Sequence, residues 1–101
     1  MKNNHVELFG TLTRDIEVSR NGNGNTFVKF SLACLREGKK PWTDYINCIA
    51  FGDLANEICK HGDKDTGFCI VGNLRTSSYE KDGKKQCSTN VVVESFELSN
   101  D

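Results

Sequence analysis

Apolar and polar residues alternate along most of the chain, which is the pattern of β-strands with one buried face. The alternation predicts a first strand over Val6–Leu12 and a second over Thr26–Leu35. Further strands are predicted from about Thr43 to Phe51, from Gly67 to Arg75 or beyond, and from Gln86 to Leu98. The pattern therefore predicts an all-β protein of five strands.

One segment departs from this alternation and predicts a short α-helix. Gly52 breaks the third strand, and apolar residues then recur at helical spacing over Leu54–Cys59. Asp53 is the expected N-cap, and Gly62 is the expected stop. A helix between strands 3 and 4 fits a five-stranded Greek-key barrel of the OB-fold type. A small sandwich or an SH3-like barrel is the alternative architecture.

Length and charge limit the class of protein. We expect residues 1–101 to form a single domain, because domains usually have about 50–250 residues. The chain carries 13 Lys and Arg against 14 Asp and Glu, for a net charge of −1. This balance argues against a strongly basic nucleic-acid coat, although binding depends on where charge lies. No apolar run approaches the roughly 20 residues of a membrane span, and no signal peptide is recognisable.

The cysteines are predicted to be reduced. The five residues match no zinc spacing and include no C-x-x-C pair. Four of them lie in apolar segments, where a reduced cysteine behaves as a small buried hydrophobe. A reducing cytoplasm is the simplest setting. A catalytic cysteine paired with His5 or His61 is the alternative, but no local sequence resembles a nucleophile motif. We therefore expect no enzyme activity, no metal site and no cofactor.

Aromatic residues mark one face of the third predicted strand. Tyr45 and Phe51 share that face, with the polar Asn47 between them, while Trp42 lies just before the strand. Tyr79 lies at the edge of a predicted hairpin. Such side chains suit single-stranded nucleic acid, because every base offers a π-face to an aromatic ring. The alternative is that Tyr45 and Phe51 pack against another subunit or a neighbouring loop.

Basic residues lie near these aromatic positions, and we expect them to contact phosphates. They are Arg36, Lys39, Lys40, Arg75, Lys84 and Lys85. The last two follow Asp82-Gly83, which is a hairpin-turn signal. Glu80 and Asp82 share that turn, so the alternative is a mixed-charge turn that is only solvated.

Several motifs in order resemble bacterial single-stranded DNA-binding proteins. They are Asn4–Asp15, Phe30–Ala33, Thr43–Ala55, Gly72–Thr76, Asp82–Lys84 and Val91–Val93. The similarity covers about residues 4–98, and the motifs are specific as a set rather than singly.

This resemblance implies an OB-fold protein that coats single-stranded DNA in replication, recombination and repair. Tyr45, Phe51 and Tyr79 match positions that stack on bases, and Asn47 matches a position that is often basic. The resemblance implies a homotetramer, with a dimer as the alternative, in which first strands pair across an interface. It also implies the cytoplasm of a bacterium, or of the bacterial host of a plasmid, phage or integrated element.

The chain departs from the family pattern in several places, including the C-terminus and the connection after the helix. It ends at Asp101 without an acidic tail, so we expect a short form with no C-terminal recruitment peptide. Residues 61–67 replace a tight connection, and we expect a looser loop there. The alternative function is a dimeric primosomal accessory protein of the same fold, acting mainly through protein contacts. Its smaller set of stacking aromatics distinguishes it.

Overall fold

The computed structural model describes residues 3–38, 40 and 42–99. The elements in chain order are β1 (Val6–Leu12), β2 (Ser19–Arg20), β3 (Thr26–Leu35), β4 (Thr43–Phe51), α1 (Gly52–Lys60), β5 (Gly67–Lys81) and β6 (Lys84–Leu98). The five long strands and the helix are those predicted from the sequence. The two-residue strand β2 is the addition, and it is too short to produce an alternating pattern.

The strands close into a barrel. Their order is β1-β5-β6-β4-β3-β2, and β1 also pairs with β3, which joins the two sides of the sheet. All neighbouring strands are antiparallel except β4 and β6, which pair in parallel at Cys48↔Val91 and Ile49↔Val92. The helix α1 connects the third long strand to the fourth. This is the predicted five-stranded Greek-key OB-fold.

The core fills the barrel with one face of each long strand. On β3, Val28, Phe30 and Leu32 are buried as predicted, while Cys34 is half-buried. The helix adds Ala55 and Ile58, which lie on the side that closes the barrel. Burial of each large apolar side chain contributes about 1.5–3 kcal/mol. The opposite positions on these strands are consequently supported by a packed interior.

The start of the helix differs from the prediction. Phe51 is the N-cap residue in an extended conformation, and Gly52 follows with a φ of 65°. Glycine tolerates this left-handed geometry because it lacks a Cβ. Asp53 is therefore not the cap but lies within the first turn, where its carboxylate is favourable near the positive end of the helix dipole.

The connection from α1 to β5 is tied down, so the expectation of a looser loop over 61–67 is wrong. Ile16 N–H donates to the Gly62 carbonyl at 2.8 Å, and Leu12 N–H donates to the Thr66 carbonyl at 3.0 Å. The Lys64 N–H donates to the Asp15 carboxylate at 2.7 Å. These bonds fasten the loop to the end of β1 and to the residues that follow it.

The far halves of β5 and β6 project from the barrel as a hairpin arm, residues 75–90. No residue of this arm is buried, and the last buried positions before and after it are Gly72 and Val91. Asp82 and Gly83 form the turn with φ values of 55° and 77°, as expected for a two-residue type I′ hairpin. The arm therefore holds its shape by strand pairing and exposed cross-strand contacts such as the Ser77–Ser88 hydroxyl bond at 2.8 Å, without a buried side chain.

The root of the arm is fixed at two points. The Asn4 side chain bonds both backbone groups of Leu74: Nδ2 donates to the carbonyl at 2.7 Å, and Oδ1 accepts from the N–H at 2.8 Å. At Gly72, beside a β-bulge, a Cβ would overlap the Val92 carbonyl. Only glycine permits this approach of the two strands.

The five cysteines are free thiols, but their burial differs from the prediction. Cys48 is buried in the core, and this burial raises the pKa of its thiol to about 12, so the thiol stays protonated at neutral pH. Cys34 and Cys59 are half-buried. Cys69 is exposed because it occupies an outward position of β5, and Cys87 is exposed because it lies on the arm.

Candidate nucleic-acid interface

The solvent side of β3 and β4 forms a continuous surface, here called the outer β3–β4 face. Its residues meet in pairs across the two strands: Phe27↔Phe51, Lys29↔Ile49, Ser31↔Asn47, Ala33↔Tyr45 and Leu35↔Thr43. Most of the alternate positions of both strands pack into or against the core, namely Val28, Phe30, Leu32, Cys34, Ile46, Cys48 and Ala50. Because side chains alternate across a strand, the buried set holds this surface in a fixed arrangement.

Exposed aromatic rings lie toward both ends of this face. Tyr45 is 68% exposed and Phe51 is 52% exposed. They lie six positions apart on one strand, which corresponds to roughly 20 Å at about 3.3 Å per residue. Phe27 is half-buried beside Phe51. The two ends thus offer separate apolar surfaces on which planar groups can stack.

A groove of about 630 Å³ adjoins Tyr45. It is lined by residues of β1, β3, β4 and the start of the β3–β4 connection, including Phe9, Leu35, Arg36 and Tyr45. Trp42 is 63% exposed and lies near the groove, because its carbonyl accepts a hydrogen bond from the Arg36 N–H at 2.8 Å. The structure therefore brings three of the predicted residues, Arg36, Trp42 and Tyr45, to one end of the face.

Arg36 is engaged by a carboxylate on the neighbouring strand. Its Nε and Nη2 donate to the two oxygens of Asp44 at 2.7 and 2.9 Å. This pairing holds the pKa of Asp44 below its usual range and raises the pKa of Arg36. Because Asp44 already occupies two of its N–H donors, Arg36 is less available to a phosphate than an unpaired guanidinium would be.

The middle of the outer face contains a polar notch of about 270 Å³. Its polar lining comprises Arg14, Lys29, Ser31, Asn47 and Asn90. The Ser31 hydroxyl donates to Asn47 Oδ1 at 3.0 Å, which fixes the orientation of the amide. Lys29 Nζ lies 5.9 Å from the centre of the Phe27 ring, a cation–π distance.

Four of the predicted residues lie on the arm: Arg75, Tyr79, Lys84 and Lys85. Arg75 Nε donates to Asn73 Oδ1 at 3.2 Å, and Asn73 Nδ2 donates to Glu94 at 3.1 Å. Tyr79 is 52% exposed. Lys84 and Lys85 are exposed and follow the turn. In the described part of the chain, none of these four side chains lines the groove beside Tyr45 or the polar notch.

Two predicted lysines lie in the β3–β4 connection. Lys40 is exposed, and Lys39 lies outside the described residues.

Sequence reasoning missed four residues of this surface: Phe27, Lys29, Arg14 and Asn90. The first two share the outward alternation of Ser31 on β3, so the strand pattern contained the signal. Arg14 reaches the notch because it follows the end of β1, and Asn90 reaches it because β6 pairs with β4 at the next residue, Val91. No local pattern predicts such contacts.

Residues 3–38, 40 and 42–99 include no group of three or more His, Cys, Asp or Glu residues able to hold a metal ion. Within those ranges, no helix has the length and apolar character needed to cross a bilayer.

Comparison with known proteins identifies similar chains. The model of the single-strand binding protein family matches residues 3–99. A single-stranded DNA-binding protein of Clostridium perfringens is 43% identical over 97 residues, covering 94% of this chain and 65% of the relative. A single-stranded DNA-binding protein of Fusobacterium nucleatum is 35% identical, covering 94% of this chain and 66% of the relative.

A third relative is nearer in length. The single-stranded DNA-binding protein 2 of Streptococcus agalactiae serotype V is 32% identical over 99 residues and is covered to 76% of its length. The chain thus spans slightly less than two thirds of the first two relatives and about three quarters of the third.

Proposed function

The chain belongs to the single-strand binding protein family, and from this premise we propose that it binds and coats single-stranded DNA with little sequence preference. Residues 1–101 act as one OB-fold binding unit without catalytic activity. The protein serves DNA replication, recombination and repair in the cytoplasm of a bacterium, or of a bacterial host of a mobile element. Bases stack on aromatic rings, and basic side chains neutralise the phosphates.

One observation carries this proposal: Tyr45 and Phe51 are exposed on a strand whose other face is buried. When a packed strand exposes large aromatic rings to solvent, the exposed apolar surface indicates a binding partner. Stacking of a base on such a ring contributes about 1–3 kcal/mol and does not depend on base identity. Two rings on one strand suit a ligand that presents repeated planar groups.

The phosphate contacts are assigned to exposed cations beside this face. Lys40 borders the Tyr45 end, and Lys84 and Lys85 lie on the arm. Arg36 contributes where a phosphate displaces Asp44. A net charge of −1 is compatible with this role, because the potential at the surface depends on local clusters.

We also assign a homo-oligomer, with the tetramer favoured over the dimer. In the described residues, β1 pairs with β3 only at Thr11 and Leu12. Within the described residues, the edge of Val6–Phe9 that faces away from β5 has no strand partner and can accept a second β1 strand. Exposed strand edges favour pairing with another chain. Light scattering tests the assignment: a tetramer mass supports it, and a monomer at micromolar concentration contradicts it.

The direct test of binding is a titration of labelled oligo-dT, duplex DNA and RNA across a salt series. We expect oligo-dT to bind much more tightly than the duplex. The logarithm of the binding constant is expected to fall linearly with the logarithm of salt concentration, because counterions are released. Equal affinity for duplex and single strand, or no binding at low salt, would refute the function.

A further inference from the structure

We propose that the polar notch in the middle of the outer β3–β4 face binds a backbone phosphate of the single strand, with Arg14 and Lys29 as its cations. The inference rests on the proposed function and adds the position of one phosphate and the groups that hold it. Neither residue lies in the loops where basic contacts were predicted.

The notch presents hydrogen-bond donors and positive charge. Arg14 and Lys29 have only donors to offer, and both are exposed. No Asp or Glu is among the residues that line the notch in the described part of the chain. Asp15, next to Arg14, lies outside that lining and accepts the Lys64 N–H. A phosphate group carries acceptors and negative charge, so it matches this chemistry.

Asn47 adds to the donor character. Its Oδ1 accepts the hydroxyl of Ser31 at 3.0 Å, so the acceptor end of the amide is already used. The Nδ2 group is the end that remains for a ligand, and it supplies two further N–H donors. A neutral side chain at this position therefore still favours an oxygen acceptor, while Arg14 and Lys29 supply the charge.

The location fits the path of a strand whose bases stack at both ends of the face. Asn47 lies two residues from Tyr45 and four residues from Phe51 on β4. A chain with one base at each ring must pass its backbone over the middle. Arg36, the cation beside Tyr45, is paired with Asp44. In the described part of the chain, by contrast, the lining of the notch holds two cations and no carboxylate.

The test is the salt dependence of oligo-dT binding by the whole protein carrying Arg14→Gln, Lys29→Gln or both. For single strands, each neutralised phosphate contributes about 0.7 to the slope of log K against log salt. If both side chains hold one phosphate, the double variant lowers the slope by about 0.7. The loss of affinity should be the same for oligo-dT and oligo-dA, because a phosphate contact carries no base information.

The matched control is Lys60→Gln, which removes the same charge from the helix, where Lys60 pairs with Glu57 at 2.9 Å. Its slope should equal that of the wild type. In the double variant, Asn47→Arg should restore the lost slope by returning a cation to the notch. Thermal melting confirms folding, since neither Arg14 nor Lys29 is buried.

Two outcomes overturn the proposal while leaving the function intact. One is a double variant that keeps both the slope and the affinity of the wild type. The other is an unchanged slope together with a loss of affinity that differs between oligo-dT and oligo-dA, which would assign the notch to a base edge. A wild-type protein that fails to bind single strands instead refutes the function itself, and the phosphate site with it.

Discussion

Phe51 on the outer β3–β4 face and Tyr79 on the hairpin arm are equally exposed, at 52% each. What lies behind them differs. Phe51 follows Ala50, which is fully buried, and its strand covers the barrel core. Tyr79 lies in a stretch of β5 in which every residue from Leu74 to Lys81 is exposed. Exposure alone therefore does not rank the two rings as binding groups.

The difference concerns the entropy of binding. A side chain on a packed strand is already ordered, so a ligand gains the contact at little cost. A side chain on an arm with no buried residue must be ordered when the ligand arrives, at about 0.5–1.5 kcal/mol for each immobilised side chain. We expect the outer face to supply most of the affinity, and the arm to adapt to the strand.

The largest expected difference between the regions is in folding stability along β5 itself. Ile70→Ala removes a fully buried side chain and should reduce the free energy of unfolding by about 2–5 kcal/mol. Ser77→Ala, on the arm, removes an exposed hydrogen bond to Ser88 and should change it by less than about 0.5 kcal/mol. Urea denaturation measures both. Similar losses would show that the arm is part of the cooperative core.

The next effect is on binding at the packed face. Phe51→Ala should weaken oligo-dT binding by about 1–3 kcal/mol, the contribution of one stacked base. Folding stability should change little, because half of the ring is already in water. Anisotropy titration of a labelled oligonucleotide gives the affinity. An unchanged dissociation constant would remove Phe51 from the interface.

A smaller loss is expected on the arm. Tyr79→Ala should weaken binding by about 1 kcal/mol less than Phe51→Ala, because the stacking gain is offset by the ordering of the arm. The same titration compares the two variants. If Tyr79→Ala proves the more damaging, the arm is already ordered in the free protein and the distinction between the regions fails.

The smallest expected effect concerns Arg36. Asp44→Asn removes the carboxylate that pairs with it, so one more cation becomes available for phosphate. The salt slope of oligo-dT binding should steepen by about 0.7. Protonation of Asp44 should release Arg36 in the same way. Because the pairing lowers the pKa of Asp44, this release should occur only as the pH falls below the usual Asp pKa of about 3.9. A slope unchanged in Asp44→Asn would place Arg36 off the path of the strand.

The regular parts of the fold could be predicted because their side-chain periods are local. Alternation alone predicts Thr26–Leu35, and the observed strand has the same bounds. Asp82-Gly83 predicts the hairpin turn, since its left-handed geometry is a property of two residues. Tyr45 and Phe51 could be placed on one outward face for the same reason.

The features that could not be predicted depend on distant parts of the chain. Asn90 reaches the notch because β6 pairs in parallel with β4, and the pairing of Arg36 with Asp44 depends on the register between β3 and β4. Cys69 lies in an apolar segment yet points outward, because burial follows strand parity rather than local composition. The tied loop over 61–67 depends on bonds to Leu12 and Ile16.

The measurement that tests the central claim most directly compares two double variants in the oligo-dT titration. Tyr45→Phe with Phe51→Tyr keeps both rings, whereas Tyr45→Leu with Phe51→Leu keeps apolar bulk without them. The rings lie roughly 20 Å apart, so their contributions should add. We expect the first variant to bind like the wild type and the second to lose about 2–6 kcal/mol. Wild-type affinity in the leucine variant would contradict stacking on the outer β3–β4 face.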